Sequence, residues 1–172
     1  GLDCLCTLSI VSYDIDKKYG TQYYKRFMDF LKYMQANDYT GNAAVTDVKG
    51  DRNLGPHEQP DKDMYLHVVD QNKEGIIVKG AKVHQTCSLS CHEVIALPTR
   101  ALQKGDEEYA LAFAIPSDTK GLIHVVGRNS MDTREIEGVD CGNVRYSKYC
   151  PTLIFNEVLV PWERVFMFKE VE

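Results

Sequence analysis

Residues 44–52 read AVTDVKGDR, and within them Thr46, Asp47, Lys49, Gly50, Asp51 and Arg52 fall inside one span of seven. An arginine can grip two phosphate oxygens at once and a lysine adds a compact charge. Gly50 offers an unhindered backbone amide and Thr46 a hydroxyl. Such a loop could hold a pyrophosphate without a helix N-terminus. It is neither the Gly-x-x-x-x-Gly-Lys-Ser/Thr phosphate loop nor a Gly-x-Gly-x-x-Gly turn. The competing reading is a solvated turn in which Asp47, Lys49, Asp51 and Arg52 pair in water.

Residues 80–93, GAKVHQTCSLSCHE, offer two further chemistries. In one, Gly80 lets the backbone approach a ligand, and Gln85, Thr86 and Ser88 present hydrogen-bond partners to a planar ring. In the other, His84, Cys87, Cys91 and His92 bind a metal. That spacing is not a standard zinc arrangement, and residues 87 and 91 of one strand sit too far apart for one ion. Ordinary buried thiols with surface histidines are the third possibility. In residues 150–166, CPTLIFNEVLVPWERVF, an apolar strand ends at Pro161, and Trp162, Arg164 and Phe166 lead out of the sheet. Glu157 reads as a turn carboxylate. His57, His67 and His124 read as loop or strand-face residues, and no Ser-His-Asp or Cys-His triad can be assembled.

The elements that must position these stretches fall into two kinds. Up to residue 40 the pattern is helical. Leu2, Leu5, Leu8 and Ile10 line a short helix. Thr21 then caps a second, whose stripe is Tyr23, Phe27, Phe30, Leu31 and Met34. That stripe needs a partner, expected from sequence preceding this chain. From Ala43 the period changes to two. Residues 64–71 and 75–86 form a hairpin about NKEG, and further strands fall at 93–101, 109–118, 121–128 and 152–161. Short strands joined by Gly, Asp and Pro turns predict a mainly β fold, an antiparallel sandwich or barrel preceded by one or two α-helices. The boundary falls near residues 38–41, giving a helical segment 1–40 and a β-domain 41–172.

Size and composition narrow the partners. The 172 residues are 44% apolar, enough for a packed core. A formal charge of -5 without clustered Lys or Arg argues against nucleic acid. The longest near-apolar run, residues 109–115, is too short to cross a bilayer, so no membrane partner is expected. Six scattered cysteines (Cys4, Cys6, Cys87, Cys91, Cys141 and Cys150) suit a reducing cytoplasm better than a disulfide framework. The chain opens inside apolar sequence and closes without a turn, so the expectation is a piece of a longer polypeptide.

Taken together, these stretches resemble the central β-domain of acyl-CoA dehydrogenase-like flavoproteins. AVTDVKGDR is similar to their Thr-Glu-Pro-x-x-Gly-Ser-Asp flavin loop, and GIIVKGAKVHQT to their Gly-x-Lys-x-x-x-Thr strand pair. FAIPSDTKGL and LIFNEVLVPWERVF are similar to the later strand, turn and exit strand of that domain. The nearer resemblance is to the 4-hydroxyphenylacetate 3-hydroxylase/4-hydroxybutyryl-CoA dehydratase family, its dehydratase branch in particular, along nearly the whole chain. That resemblance implies a homotetramer with FAD and a [4Fe-4S] cluster whose ligands lie outside this chain. The implied reaction is radical dehydration of the acyl-CoA substrate 4-hydroxybutyryl-CoA to crotonyl-CoA, with vinylacetyl-CoA isomerisation alongside. It also implies site residues: the loop Val45, Thr46, Asp47, Lys49, Gly50 and Arg52 along the FAD, and His84, Gln85, Thr86 and Cys87 lining the flavin ring. Thr86 would be catalytic, beside the reactive N5 edge. A departure goes with the likeness. Dehydratases place a Glu just ahead of the exit strand, where this chain reads Tyr149-Cys150-Pro151. The alternative within the family is an FADH2-dependent aromatic hydroxylase fed by a separate reductase; outside it, a stand-alone non-catalytic β module.

Overall fold

The computed structural model describes residues 2–127 and 150–171. Two helices come first, α1 (Leu2–Tyr19) and α2 (Tyr23–Ala36). Eight strands follow among the described residues: β1 (Gly41–Ala44), β2 (His67–Gln71), β3 (Gly75–Lys82), β4 (Glu93–Ala96), β5 (Leu111–Pro116), β6 (Leu122–Val125), β7 (Thr152–Pro161) and β8 (Val165–Phe168). They form two four-stranded sheets, ordered β1-β4-β5-β8 and β2-β3-β7-β6.

The sandwich core lies between the sheets. Val68, Ile76, Val78, Leu153, Phe155 and Val158 of one meet Val94, Ala96, Leu111, Phe113 and Ile115 of the other. Phe113 and Phe155 meet edge to face with centroids 5.9 Å apart. Each such fully buried side chain contributes about 1.5–3 kcal/mol through loss of apolar surface from water. Pairing is antiparallel except that β1 runs parallel to β4, from Gly41↔Glu93 to Ala44↔Ala96. The β2–β3 hairpin turns where expected, with the Asn72 side chain accepting the Glu74 and Gly75 amides at 2.8 and 3.1 Å.

Several local expectations need correcting. The first helix is not short: it runs 18 residues, with Leu8 buried but Leu2 and Ile10 exposed. Thr21 does not cap α2. Asp16 does, its carboxylate accepting the amides of Tyr23 and Tyr24 at 2.7 and 2.9 Å and the Thr21 hydroxyl. The stripe of α2 finds its partner within this chain. Phe27 and Phe30 pack on Phe166 at 5.5 and 5.4 Å, with Ile95, Ala112 and Ala114 beneath and Cys4 and Leu8 of α1 alongside. Residues 162–168 therefore do not leave the fold: β8 joins the sheet beside β5. Glu157 lies within β7 rather than in a turn, with φ +54, where the register with β3 shifts. Residues 128–149, including Cys141 and Tyr149, lie outside the described residues.

Candidate functional site

Alternation places Ile76, Val78, Gly80 and Lys82 on the inward face of β3. A lysine on that face must find a carboxylate or lose its charge, because an unpaired buried ammonium is costly. Lys82 is 3% exposed and its ammonium pairs with Asp47, itself 6% exposed. Its remaining donors go to the carbonyls of Val45 at 2.9 Å and Leu97 at 3.0 Å, so all three N–H groups are spent. Burial pulls the Lys82 ammonium down from its ordinary value, and the Asp47 carboxylate opposes that pull. Thr99 completes the network: its hydroxyl donates to Asp47 Oδ2 at 2.7 Å and receives the Asp47 amide at 3.2 Å.

One ion pair thus ties together the exits of three strands. Parallel β1 and β4 finish at the same end of the sandwich, so residues 45–52 and 97–100 leave side by side, and β3 delivers Lys82 between them. The result is a groove of about 200 Å³ lined by Asp47, Lys49, Arg52, Tyr65, Thr99 and Arg100. Gly50 adopts φ +53 with Gln59 and Met64 packed where a Cβ would stand, which fixes glycine there. The Tyr65 hydroxyl donates to the Lys49 carbonyl at 3.0 Å and steadies the loop.

Beyond Lys82 the chain turns along the outer side of β1. Val83 donates to the Thr46 carbonyl at 2.8 Å, Gln85 to the Pro151 carbonyl at 2.9 Å, and Asn42 Nδ2 to the Thr86 carbonyl at 2.9 Å. The flavin-loop candidates and the residues 84–87 are therefore neighbours. His84 and Cys87 adopt left-handed φ of +58 and +64, sparsely populated for non-glycine residues. His84, Thr86 and Cys87 are exposed, and the Thr86 hydroxyl lies 3.0 Å from Cys150 Sγ. Beneath them Asn42 Oδ1 is buried without a hydrogen-bond partner among the described residues, in a side chain only 7% exposed.

Not every candidate faces outward. Gln85 is 2% exposed and donates to the Val83 carbonyl, and buried Ser88 lies against His124. Gly80, with φ +127, is required by close approach to the protein's own Tyr65–Leu66 backbone and not by a ligand. The metal alternative separates physically: the His92 ring stacks on Tyr39 and its Nδ1 accepts the Thr40 amide, while Cys91 bonds the Ser88 carbonyl. Among the described residues no group of three or more His, Cys, Asp or Glu could hold a metal ion. The described cysteines Cys4, Cys6, Cys87, Cys91 and Cys150 are all unpaired, and no described helix is long and apolar enough to cross a membrane. The sequence reading missed Arg100, Thr99 and the Lys82 pairing. Period-two alternation through Lys82 was the available signal for the last.

A two-sheet sandwich carrying helices on one outer face is the acyl-CoA dehydrogenase-like arrangement. A putative acyl-CoA dehydrogenase from Mycobacterium smegmatis shares it with TM-score 0.53 over 95% of this chain and 35% of that one, at 17% identity, a likeness of fold alone. Within that class the chain belongs to the 4-hydroxyphenylacetate 3-hydroxylase N-terminal family, whose model matches residues 1–167. It is 42% identical to the 4-hydroxybutyryl-CoA dehydratase/vinylacetyl-CoA-Δ-isomerase of Clostridium aminobutyricum, over all of this chain and 36% of that protein. An oxygen-tolerant archaeal 4-hydroxybutyryl-CoA dehydratase from N. maritimus superposes with TM-score 0.89 at 40% identity, over 100% of this chain and 35% of that one. The oxygenase component of 4-hydroxyphenylacetate 3-monooxygenase, complexed with FAD, superposes with TM-score 0.71 at 31% identity, over 97% and 34%. The chain spans about a third of the length of these relatives.

Proposed function

We propose that this chain is the FAD-binding region of an enzyme that dehydrates 4-hydroxybutyryl-CoA to crotonyl-CoA and isomerises vinylacetyl-CoA. Residues 1–40 would close a helical domain and residues 41–172 form the flavin-binding β-domain. The observation that carries the reading is the placement of residues 45–52 and 84–87 side by side at one end of the sandwich. The residues fit a flavin. Lys49 and Arg52 line a groove suited to its diphosphate, exposed Thr86 offers a hydroxyl to the ring edge, and the unpartnered Asn42 Oδ1 lies behind it. Asp47 and Gln85 serve the frame, one through Lys82 and the other through its buried amide.

FAD, when bound, supplies reversible electron transfer that makes the otherwise unreactive C3 proton of the thioester removable. Thr86 would offer its hydroxyl to the flavin ring, and residues 45–52 would hold the remainder of the cofactor. The [4Fe-4S] cluster of the whole enzyme would take its ligands from outside this chain. The cytoplasm suits the unpaired cysteines. The exposed apolar residues Leu2, Ile10 and Val11 of α1 suit burial by the rest of the polypeptide and its copies in a homotetramer.

One observation favours a second reading, the oxygenase component of an FADH2-dependent hydroxylase. The side chain beside Thr86 is the thiol of Cys150, within the stretch Tyr149-Cys150-Pro151 where the resemblance to dehydratases implies a glutamate. Anaerobic purification of the full-length protein tests both. Bound flavin with conversion of 4-hydroxybutyryl-CoA to crotonyl-CoA is expected. Hydroxylation of 4-hydroxyphenylacetate with supplied FADH2 and oxygen, without dehydration, would establish the second reading instead.

A further inference from the structure

We propose that Arg100 opposes Lys49 and Arg52 across the groove, so that residues 49–52 and 97–100 form a two-walled clamp for a nucleotide diphosphate. Nothing in the flavin-loop resemblance includes residues 97–100. They enter only because β1 and β4 run parallel and end together, which brings Arg100 to a loop some fifty positions earlier in the chain.

The electrostatics favour an anion. The carboxylate lining the groove, Asp47, is already neutralised by Lys82 and hydrogen-bonded by Thr99. Lys49, Arg52 and Arg100 form no ion pair among the described residues, leaving three cations converging on about 200 Å³. Asp51 stands nearby but outside the lining, its Oδ1 engaged by the Asn53 amide at 2.9 Å. Arg100 gives one N–H to the Leu54 carbonyl at 3.1 Å, which anchors the guanidinium to the facing loop. Its other donors remain for a ligand, since a guanidinium carries five. Two phosphates against three cations leave a surplus positive charge, whereas a single phosphate on one wall would leave the other wall unanswered.

The clamp also has a rigid floor. The Lys82 pair fixes both walls through the carbonyls of Val45 and Leu97, so little reorganisation is needed when the anion arrives. Two ligands of this enzyme class carry a diphosphate, the FAD and the CoA thioester. The inference assigns the groove to FAD and so rests on the flavin reading above.

The test is titration of full-length apoprotein, native and Arg100→Gln, with FAD, with riboflavin, which has no phosphate, and with CoA. Arg100→Gln is expected to weaken FAD about 10- to 100-fold, the range for losing a charge-assisted phosphate pair. Riboflavin and CoA should stay within about twofold, and Arg100→Lys should recover part of the loss. Loss confined to CoA would support the clamp and transfer it to the thioester's diphosphate. Equal weakening of riboflavin and FAD, or no weakening of any ligand, would overturn it. Should native protein bind neither riboflavin nor FAD, the flavin reading fails separately and the CoA arm still decides the clamp.

Discussion

At the scale of single residues, the proposed function gives the exposed hydroxyl of Thr86 the contact with the reacting cofactor. It is bracketed by His84 and Cys87 in left-handed conformations and backed by Cys150 Sγ at 3.0 Å. A positioned donor at a centre where charge develops affects rate more than ground-state affinity, by about 10²–10³-fold in comparable sites. Thr86→Val in the full-length protein is therefore expected to lower kcat about 10- to 1000-fold while changing the FAD dissociation constant less than about threefold. Stopped-flow turnover beside flavin titration checks this, and loss of flavin with unaltered turnover per remaining flavin would contradict it. Thr86 and the 45–52 loop could be singled out in the sequence because the motifs that resemble the family's are short and contiguous. Arg100 could not, since an arginine after a Leu-Pro-Thr turn looks like any exposed cation until strand order brings it opposite Arg52.

At the scale of elements, one buried pair holds three strand exits together. Removing one partner leaves an uncompensated charge in the interior, which typically costs about 3–5 kcal/mol, while replacing both with apolar groups is often close to neutral. Lys82→Met should lose about that much stability, and Lys82→Met with Asp47→Leu should recover more than about 1 kcal/mol of it. Urea unfolding measures both, and a single variant as stable as the native protein would contradict the latch. The helices and most strands could be read from periodicity, because apolar residues at steps of three, four or two make a visible stripe. Strand β1 could not: Gly41-Asn42-Ala43-Ala44 has no β-branched residue, and parallel pairing with β4 supplies what propensity lacks. Strand β8 was read as an exit because Trp162 and Arg164 break the alternation just before it. Arg164 in fact pairs with Glu93 at 3.0 Å and stacks on Tyr33, drawing β8 back under α2. The cap of α2 was also hidden, since Asp16 reaches it from the preceding helix.

At the scale of the molecule, helices and sandwich share a second core. Phe27, Phe30 and Met34 of α2 meet Ile95, Ala112, Ala114 and Phe166 of the sheet. The sandwich is therefore covered on one outer face by this chain's own helices, and the groove end is set by a sheet braced from behind. The central claim is that residues 45–52, 84–87 and 97–100, dispersed in sequence, form one cradle for FAD. Hydrogen–deuterium exchange on the full-length apoprotein, with and without FAD, tests it most directly. The three segments should gain amide protection together on adding FAD; protection elsewhere with these three unchanged would contradict the account.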